Sequence, residues 1–314
     1  MKAKWFVIPA MLLSAAVSLS LAAPQPITKG PAAQEPIRYG KGRKLSDLAN
    51  KQIRESSGLA CSRRRKGVFW THNDSGDAPR IFAFNLAGDN LATYTIAGAK
   101  ARDWEDMASF KMGKRAYLLL ADVGNNSRRR KEVTIYIIPE PPLDVSKRSV
   151  KGTVRSMLTI RFSFEDGNYD CESVAIDPTE KIIYLVPKVL GSRTKIYALP
   201  LPRKPGAGGA AKAVAKVSIP TAVAMDISPD GLRAVVLTYG SAREYTRRPG
   251  EKWAQAFSRK PRKISMPSRR QGESICYGAD GETLYLTSEK LPTPLLEVPV
   301  IKPNEKVEKD GPAR

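Results

Sequence analysis

A six-residue motif that recurs at the head of successive strand-like runs constrains this chain more than any other feature. Asp103-Trp104-Glu105-Asp106-Met107-Ala108 aligns with Asp170-Cys171-Glu172-Ser173-Val174-Ala175 and with Gln271-Gly272-Glu273-Ser274-Ile275-Cys276. Glu55-Ser56-Ser57-Gly58-Leu59-Ala60 is a weaker copy, and Thr221-Ala222-Val223-Ala224-Met225-Asp226 has lost both polar positions. A turn follows most copies, as in Asp177-Pro178 or Ser228-Pro229-Asp230-Gly231, and then an apolar run such as Tyr117–Leu120 or Ile182–Val186. A polar loop leads to a third run, as in Val133–Ile137 or Lys195–Leu199, and the early copies add a fourth. Short β-rich runs bounded by Gly, Pro, Asp and Asn read as strands. Four antiparallel strands repeated along a chain are the pattern of a β-propeller.

The fold expected is therefore all-β, a propeller of four-stranded antiparallel blades. Five blades start near Glu55, Asp103, Asp170, Thr221 and Gln271; a sixth hidden in the long third or fourth copy is the alternative. A β-sandwich also accommodates short strands. The last copy runs out after its third strand, so a segment before Glu55, around Ile37-Arg38-Tyr39, is expected to supply the missing outer strand. Gly206 to Lys212 reads as a Gly/Ala loop.

The ends read differently. Lys2 and Lys4, an apolar run from Trp5 to Val17 and small residues before Pro24 have the three parts of a secretory signal peptide. Cleavage after Ala22 is expected, and the apolar run is shorter than the ~20 residues of a bilayer span. An uncleaved anchor is the alternative. Residues 1–22 are thus read as signal peptide, 23–36 as a flexible leader, 37–302 as one propeller domain and 303–314 as a charged tail. The expected product is an exported monomer, periplasmic or extracellular, with no transmembrane span.

In a propeller blade, the loop entering the first strand and the loop joining the second and third strands open on one face. Residues two apart on a strand share a side, so Asp103 with Glu105, Asp170 with Glu172, and Gln271 with Glu273 should converge at the channel mouth. The second-to-third-strand loops add His72-Asn73-Asp74-Ser75-Gly76-Asp77, Asp122-Val123-Gly124-Asn125, Lys188 and Ser288-Glu289-Lys290. Gathered carboxylates repel unless a cation or a proton sits among them. Oxygen-only donors suit Ca²⁺, whereas one histidine and three scattered cysteines disfavour zinc. Asp103, Glu105, Asp122, Asp170, Glu172 and Glu273 are the candidate Ca²⁺ ligands. His72, with Asp74 and Asp77, is the candidate for proton transfer, its unperturbed pKa lying near neutrality. Asn73, Asn125, Lys188, Gln271 and Glu289 are candidate substrate contacts. The alternative for Glu105, Glu172 and Glu273 is architectural, each bonding the backbone of a neighbouring blade. Cys61 and Cys276 fall in blades that a closed ring makes neighbours; buried free thiols are the plainer reading.

The wording Trp70-Thr-His-Asn-Asp-Ser-Gly-Asp77, with Asp103-Trp-Glu-Asp106, Asp122-Val-Gly-Asn-Asn126, Asp226-Ile-Ser-Pro-Asp-Gly231 and Gln271-Gly-Glu-Ser274, resembles a family of exported bacterial β-propeller proteins. These are described as WD40-like or as esterase-like phytase relatives, and the likeness spans most of residues 50–300. It implies the propeller. It does not imply phytase activity, because the further acidic motifs of the calcium-dependent propeller phytases are not found here.

Lysine and arginine outnumber aspartate and glutamate by 52 to 31, a formal net charge of +21, which suggests an anionic partner. The runs Arg63–Lys66, Arg128–Lys131 and Arg259–Lys263 lack the stacking aromatics of a nucleic-acid groove. A nucleic-acid partner is therefore disfavoured, and a small-molecule or anionic envelope ligand is expected. Two functions fit. One is a metal-dependent hydrolase of phosphate esters, esters or lactones; the other is a non-catalytic propeller that holds an anionic ligand or a protein.

Overall fold

Backbone pairing in the computed structural model turns the repeat into a succession of antiparallel meanders. The structure describes residues 37–302 except Val145, Arg148, Ser192 and Pro205, so the expected signal peptide, leader and charged tail lie outside the described residues. Strands β1 (Arg38–Tyr39) and β2 (Arg43–Asp47) precede a first meander of β3 (Ser56–Cys61), β4 (Val68–Asn73), β5 (Arg80–Asn85) and β6 (Asn90–Ala97). The second holds β7 (Trp104–Met112), β8 (Arg115–Asp122) and β9 (Val133–Pro139), then, after the excursion strand β10 (Val150–Arg155), β11 (Leu158–Phe164). The third is β12 (Cys171–Asp177), β13 (Ile182–Pro187), β14 (Arg193–Pro200) and β15 (Gly206–Ser218). A fourth follows with β16 (Ala222–Ile227), β17 (Arg233–Thr238), β18 (Ser241–Thr246), the single helical turn α1 (Trp253–Ala256) and β19 (Arg262–Ser265). The last is β20 (Ser274–Tyr277), β21 (Leu284–Thr287) and β22 (Pro294–Val298), trailed by β23 (Val300–Ile301).

The first strands form a closed cycle: β3 packs on β7, β7 on β12, β12 on β16, β16 on β20, and β20 back on β3. Apolar clusters fill the spaces between consecutive meanders. Trp70 and Ile81 meet Met107 and Leu118; Phe110 and Ile135 meet Val174 and Leu185; Tyr184 and Val186 meet Met225 and Trp253. Val235 and Leu237 then meet Ile275 and Leu286, and Leu59 and Phe69 meet Cys276 and Leu295. A ring of antiparallel sheets with the core between neighbours is the architecture of a β-propeller.

Closure uses the start of the chain. Strand β2 pairs with β22 as the outer strand of the last meander, with Arg43 opposite Glu297. The segment expected to do this, Ile37–Tyr39, lies just upstream, and its β1 pairs with β23 instead. A second departure is Gly206–Lys212, read as a loop but observed as the head of the 13-residue β15. Its Gly206–Ala211 half pairs in parallel with β11, and the half from Lys212 to Ser218 pairs antiparallel with β14. A Cβ on Gly208 would come within 2.6 Å of Ile160 Cγ2. Strand β10, also not read from the sequence, returns from the second meander to pair in parallel with β6 of the first. The three cysteines are free and buried.

Each first strand has one edge facing the channel, with backbone groups that no ladder strand satisfies. Buried backbone donors left without partners are costly, and polar side chains supply the partners here. Asp106 is fully buried and accepts N–H groups from Met107 (2.9 Å), Val174 (2.8 Å) and Met225 (3.0 Å), tying the second, third and fourth meanders. Asp226 accepts the Tyr277 N–H at 2.8 Å, which links the fourth to the last. Ser57 donates to the Glu105 carbonyl at 2.6 Å, and Ser56 meets Thr287 at 2.7 Å to complete the circuit. The architectural role considered for Glu105, Glu172 and Glu273 thus belongs to Asp106 and Asp226. Replacing Asp106 by Ala leaves three buried N–H groups without acceptors. At about 1–3 kcal/mol for each such group, urea denaturation should show Asp106→Ala destabilised by several kcal/mol; a loss below about 1 kcal/mol would remove this role.

Candidate functional site

The recurring Glu reaches the channel mouth through a local irregularity at the head of its strand. Pairing of β7 with β8 skips from Trp104 to Asp106, and pairing of β12 with β13 skips from Cys171 to Ser173. Glu105 and Glu172 are therefore the extra residues of β-bulges, devices that re-aim a side chain and add twist. Both are almost wholly buried, at 3% and 4% exposure. Gly124 makes room for Glu105 and Asp103: a Cβ there would lie 2.2 Å from Glu105 Oε1 and 2.5 Å from Asp103 Oδ2. Cys171, between two acids, turns away and joins the apolar cluster of the second and third meanders.

Two carboxylate triads result, Asp74–Asp103–Glu105 and Glu105–Asp170–Glu172. Within each, one oxygen per residue lies within 4.8 Å of the others. Ca²⁺ binds oxygens at about 2.3–2.6 Å, so oxygens on opposite sides of one ion stand about 5 Å apart. The spacing fits such an ion. Among the described residues no hydrogen-bond donor reaches the Glu105 carboxylate. One Glu172 oxygen, Oε1, pairs with Lys188 Nζ, while Oε2 is buried without a partner. The Lys188 ammonium also lies 5.8 Å from the Tyr239 ring centroid, and the Tyr239 hydroxyl donates to Glu273 at 3.0 Å.

Burial and mutual repulsion leave these acids reluctant to ionise. Burial pushes Glu172 up to about 8, with Glu273 and Asp170 adding to the rise against the pull of Lys188. Glu105 is raised well above the usual range by burial and then by Glu172 and Asp74. Burial, a hydrogen bond that protonated Glu289 donates to Glu273, and the charge of Glu273 take Glu289 up to about 8. Asp74 rises to about 6 through burial and then through Asp103, Glu273 and Glu55, against a Ser75 N–H bond. Asp103 is raised by burial and by Asp170.

Other expected site residues support the mouth rather than line it. Asp122 accepts the Asp103 N–H at 3.1 Å and forms an ion pair with Arg130 at 2.9 Å, so its carboxylate is already committed. Glu273 joins Glu289 and Tyr239 and belongs to neither triad. Asn73 spends its amide on the Arg54 and Glu55 N–H groups, the Gln52 carbonyl and Asp77. Asn125 spends its own on the Arg130 backbone, and its N–H donates to Asp170 at 2.8 Å. The Asn73 amide is fully used, and the Asn125 amide is buried and turned onto its own loop. Gln271 is exposed at a positive φ of 37°, and its carbonyl accepts the Glu289 N–H.

The proton-transfer trio is divided. His72 is fully enclosed, its ring edge-on to Trp104 and its Nδ1 2.9 Å from the Asn73 carbonyl. A Cβ on Gly58 would lie 2.3 Å from His72 Nε2. Burial lowers its pKa against the Asn73 bond, so the ring stays neutral. This corrects the expectation of contact with a substrate. Asp77 is also withdrawn, held by Arg80 at 2.8 Å and by Asn73; burial raises its pKa, but the Arg80, Asn73 and Ala78 hydrogen bonds outweigh it. Asp74 alone faces the acids. Tyr239 was not foreseen, although it stands in the fourth second-to-third-strand loop, where Lys188 and Glu289 stand in theirs.

The raised acids set the sign of the pH response. Between about pH 4.5 and about pH 8 the folded mouth keeps protons that the unfolded chain has released. Stability falls with pH wherever the folded state binds more protons. In chelator, Tm should drop steadily from pH 5 to pH 8.5, and less steeply in Glu172→Gln; a flat or rising profile refutes the raised acids.

No protein-family model matches the sequence, and no match is found among curated proteins. Among solved structures, a gluconolactonase from Xanthomonas campestris is similar at 12% identity and a TM-score of 0.47, over 83% of this chain and 89% of that one. Raptor from Chaetomium thermophilum gives 12% identity and a TM-score of 0.40 over 80% of this chain, which spans only 20% of the Raptor chain. At these scores neither likeness assigns this chain a function.

Proposed function

We propose that the chain is an exported five-bladed propeller whose acidic mouth holds Ca²⁺ and hydrolyses a phosphate ester, ester or lactone. The buried, unpartnered Glu172 Oε2 carries this reading, because a buried carboxyl oxygen is rarely left without a partner, and a cation bound there would displace the proton that burial otherwise holds on Glu172. Glu105, the member common to both triads, and Glu172 would be the central ligands, with Asp74, Asp103 and Asp170 around them. The donor set is all oxygen, which suits Ca²⁺ over zinc. When bound, such an ion polarises a phosphoryl or carbonyl oxygen. Lys188, beside Glu172, is placed to face the anionic part of a substrate. Asp74, half-exposed and with its pKa near 6, is the group suited to carry a proton at the rim.

A second reading, a binding propeller without catalysis, is favoured by one observation: the sole histidine is sealed from the mouth. The hydrolase reading needs the ion. Ca²⁺ at a hundred times its Kd should stabilise the fold by about 2.7 kcal/mol, read as a rise in Tm that chelator reverses. Glu105→Gln and Glu172→Gln should abolish the rise while folding normally. A wild-type Tm indifferent to both Ca²⁺ and chelator ends the metal site. Calcium-dependent turnover of p-nitrophenyl phosphate, a p-nitrophenyl ester or a lactone, lost in Glu172→Gln, supports the hydrolase. Calcium binding with no turnover on this panel supports the binding propeller.

A further inference from the structure

The other end of the channel carries the opposite charge. The first-to-second-strand turns meet there around a cavity of about 550 Å³ lined by Arg63, Arg64, Arg65, Lys66 and Lys111, with Ser62 and Ser109 at its wall. A second cavity of about 680 Å³ shares Arg63, Arg64 and Lys111 and adds Lys114 and Arg115. Among the described residues none of these cations is in an ion pair. The acids that flank the other turns are occupied: Asp177 by Arg247 at 2.5 Å, Asp230 by Arg233 at 2.7 Å, and Asp280 by Thr283 at 2.6 Å.

The arginine turn is also held in place from beneath. Ser62 donates to the buried Glu140, whose other oxygen accepts the Arg63 N–H at 3.0 Å. The Arg64 and Arg65 N–H groups donate to the Ser62 hydroxyl at 3.1 and 2.9 Å. Trp70 Nε1 closes on Glu140 at 3.1 Å, and Arg63 Nε donates to the Ser109 carbonyl at 3.1 Å. Glu140 thus spends its carboxylate on the turn itself, and the guanidinium forks are presented from a fixed backbone. Planar forks set beside lysines match the oxygens of a phosphate group.

We infer that this cavity binds a ligand with two or more phosphate charges, at the end of the channel opposite the acidic mouth and independently of it. Pyrophosphate is the probe, titrated calorimetrically in 150 mM salt with chelator present so that no cation bridges it to the acidic mouth. Arg63→Gln and Lys111→Gln should each weaken binding at least tenfold; the Lys111 side chain is exposed and, among the described residues, makes no hydrogen bond, so its variant is expected to fold. Lys260→Gln, an equal loss of charge outside both cavities, should leave affinity unchanged. A parallel assay with phosphatidylglycerol vesicles separates the sources. Vesicle binding that pyrophosphate displaces and Lys111→Gln weakens identifies a lipid phosphate, and pyrophosphate binding without vesicle binding identifies a soluble one. No binding of either probe, or equal weakening by Lys260→Gln, overturns the site.

Discussion

The inner edges of the first strands are the constraint on which the rest of this molecule depends. Each is buried at the channel with backbone donors that no ladder strand can satisfy, and the ring is stable only because side chains stand in. Asp106 answers three N–H groups on three consecutive meanders, and Asp226, Ser56 and Ser57 carry the circuit round to its start. With the strands fixed in this way, the bulged residues just before them are fixed as well. The acidic mouth is therefore a by-product of how the inner edges are satisfied, and its carboxylates crowd because the backbone beneath them cannot relax.

Much of this was legible in the residues. The motif located the heads of the first strands, and the pairing of Asp103 with Glu105 and of Asp170 with Glu172 was visible as a spacing of two. What the sequence could not separate was neighbouring acids with opposite duties. Glu105 and Asp106 are adjacent, yet one faces the mouth and the other holds the frame, and the bulge that parts them leaves no mark in composition. His72 stood out because it is unique, but burial depends on Gly58 and Trp104 from other strands. Asn73 and Asn125 read as ligand contacts because they stand in polar second-to-third-strand loops; Asn73 instead ties the segment Gln52–Glu55 to Asp77, and Asn125 stitches its own loop. The head of β15 was hidden because Gly and Ala favour turns in isolation, whereas here their small size lets the segment lie close against Ile160 of β11.

The net charge of +21 conceals an axial separation. One end of the channel gathers carboxylates in two triads, and the other gathers arginine and lysine around a turn anchored by a buried Glu. A ligand approaching along the axis meets opposite potentials at the two ends, so charge selects the face before any contact is made. The same arrangement explains why the sequence offered a basic protein and an acidic site at once.

The strand that closes the ring carries a kinetic consequence. Arg43 bonds Glu297 at 2.8 Å across a separation of 254 residues, among the longest loops this chain can close. Contacts that distant slow folding, because the entropy of closing the loop is lost before the contact repays it. Until the last sheet is synthesised, β2 has no strand to pair with, and the first and final meanders each present an open flank. The polypeptide therefore emerges as an unclosed arc that must be kept from joining other copies through those flanks, and it becomes a ring only when its two ends meet.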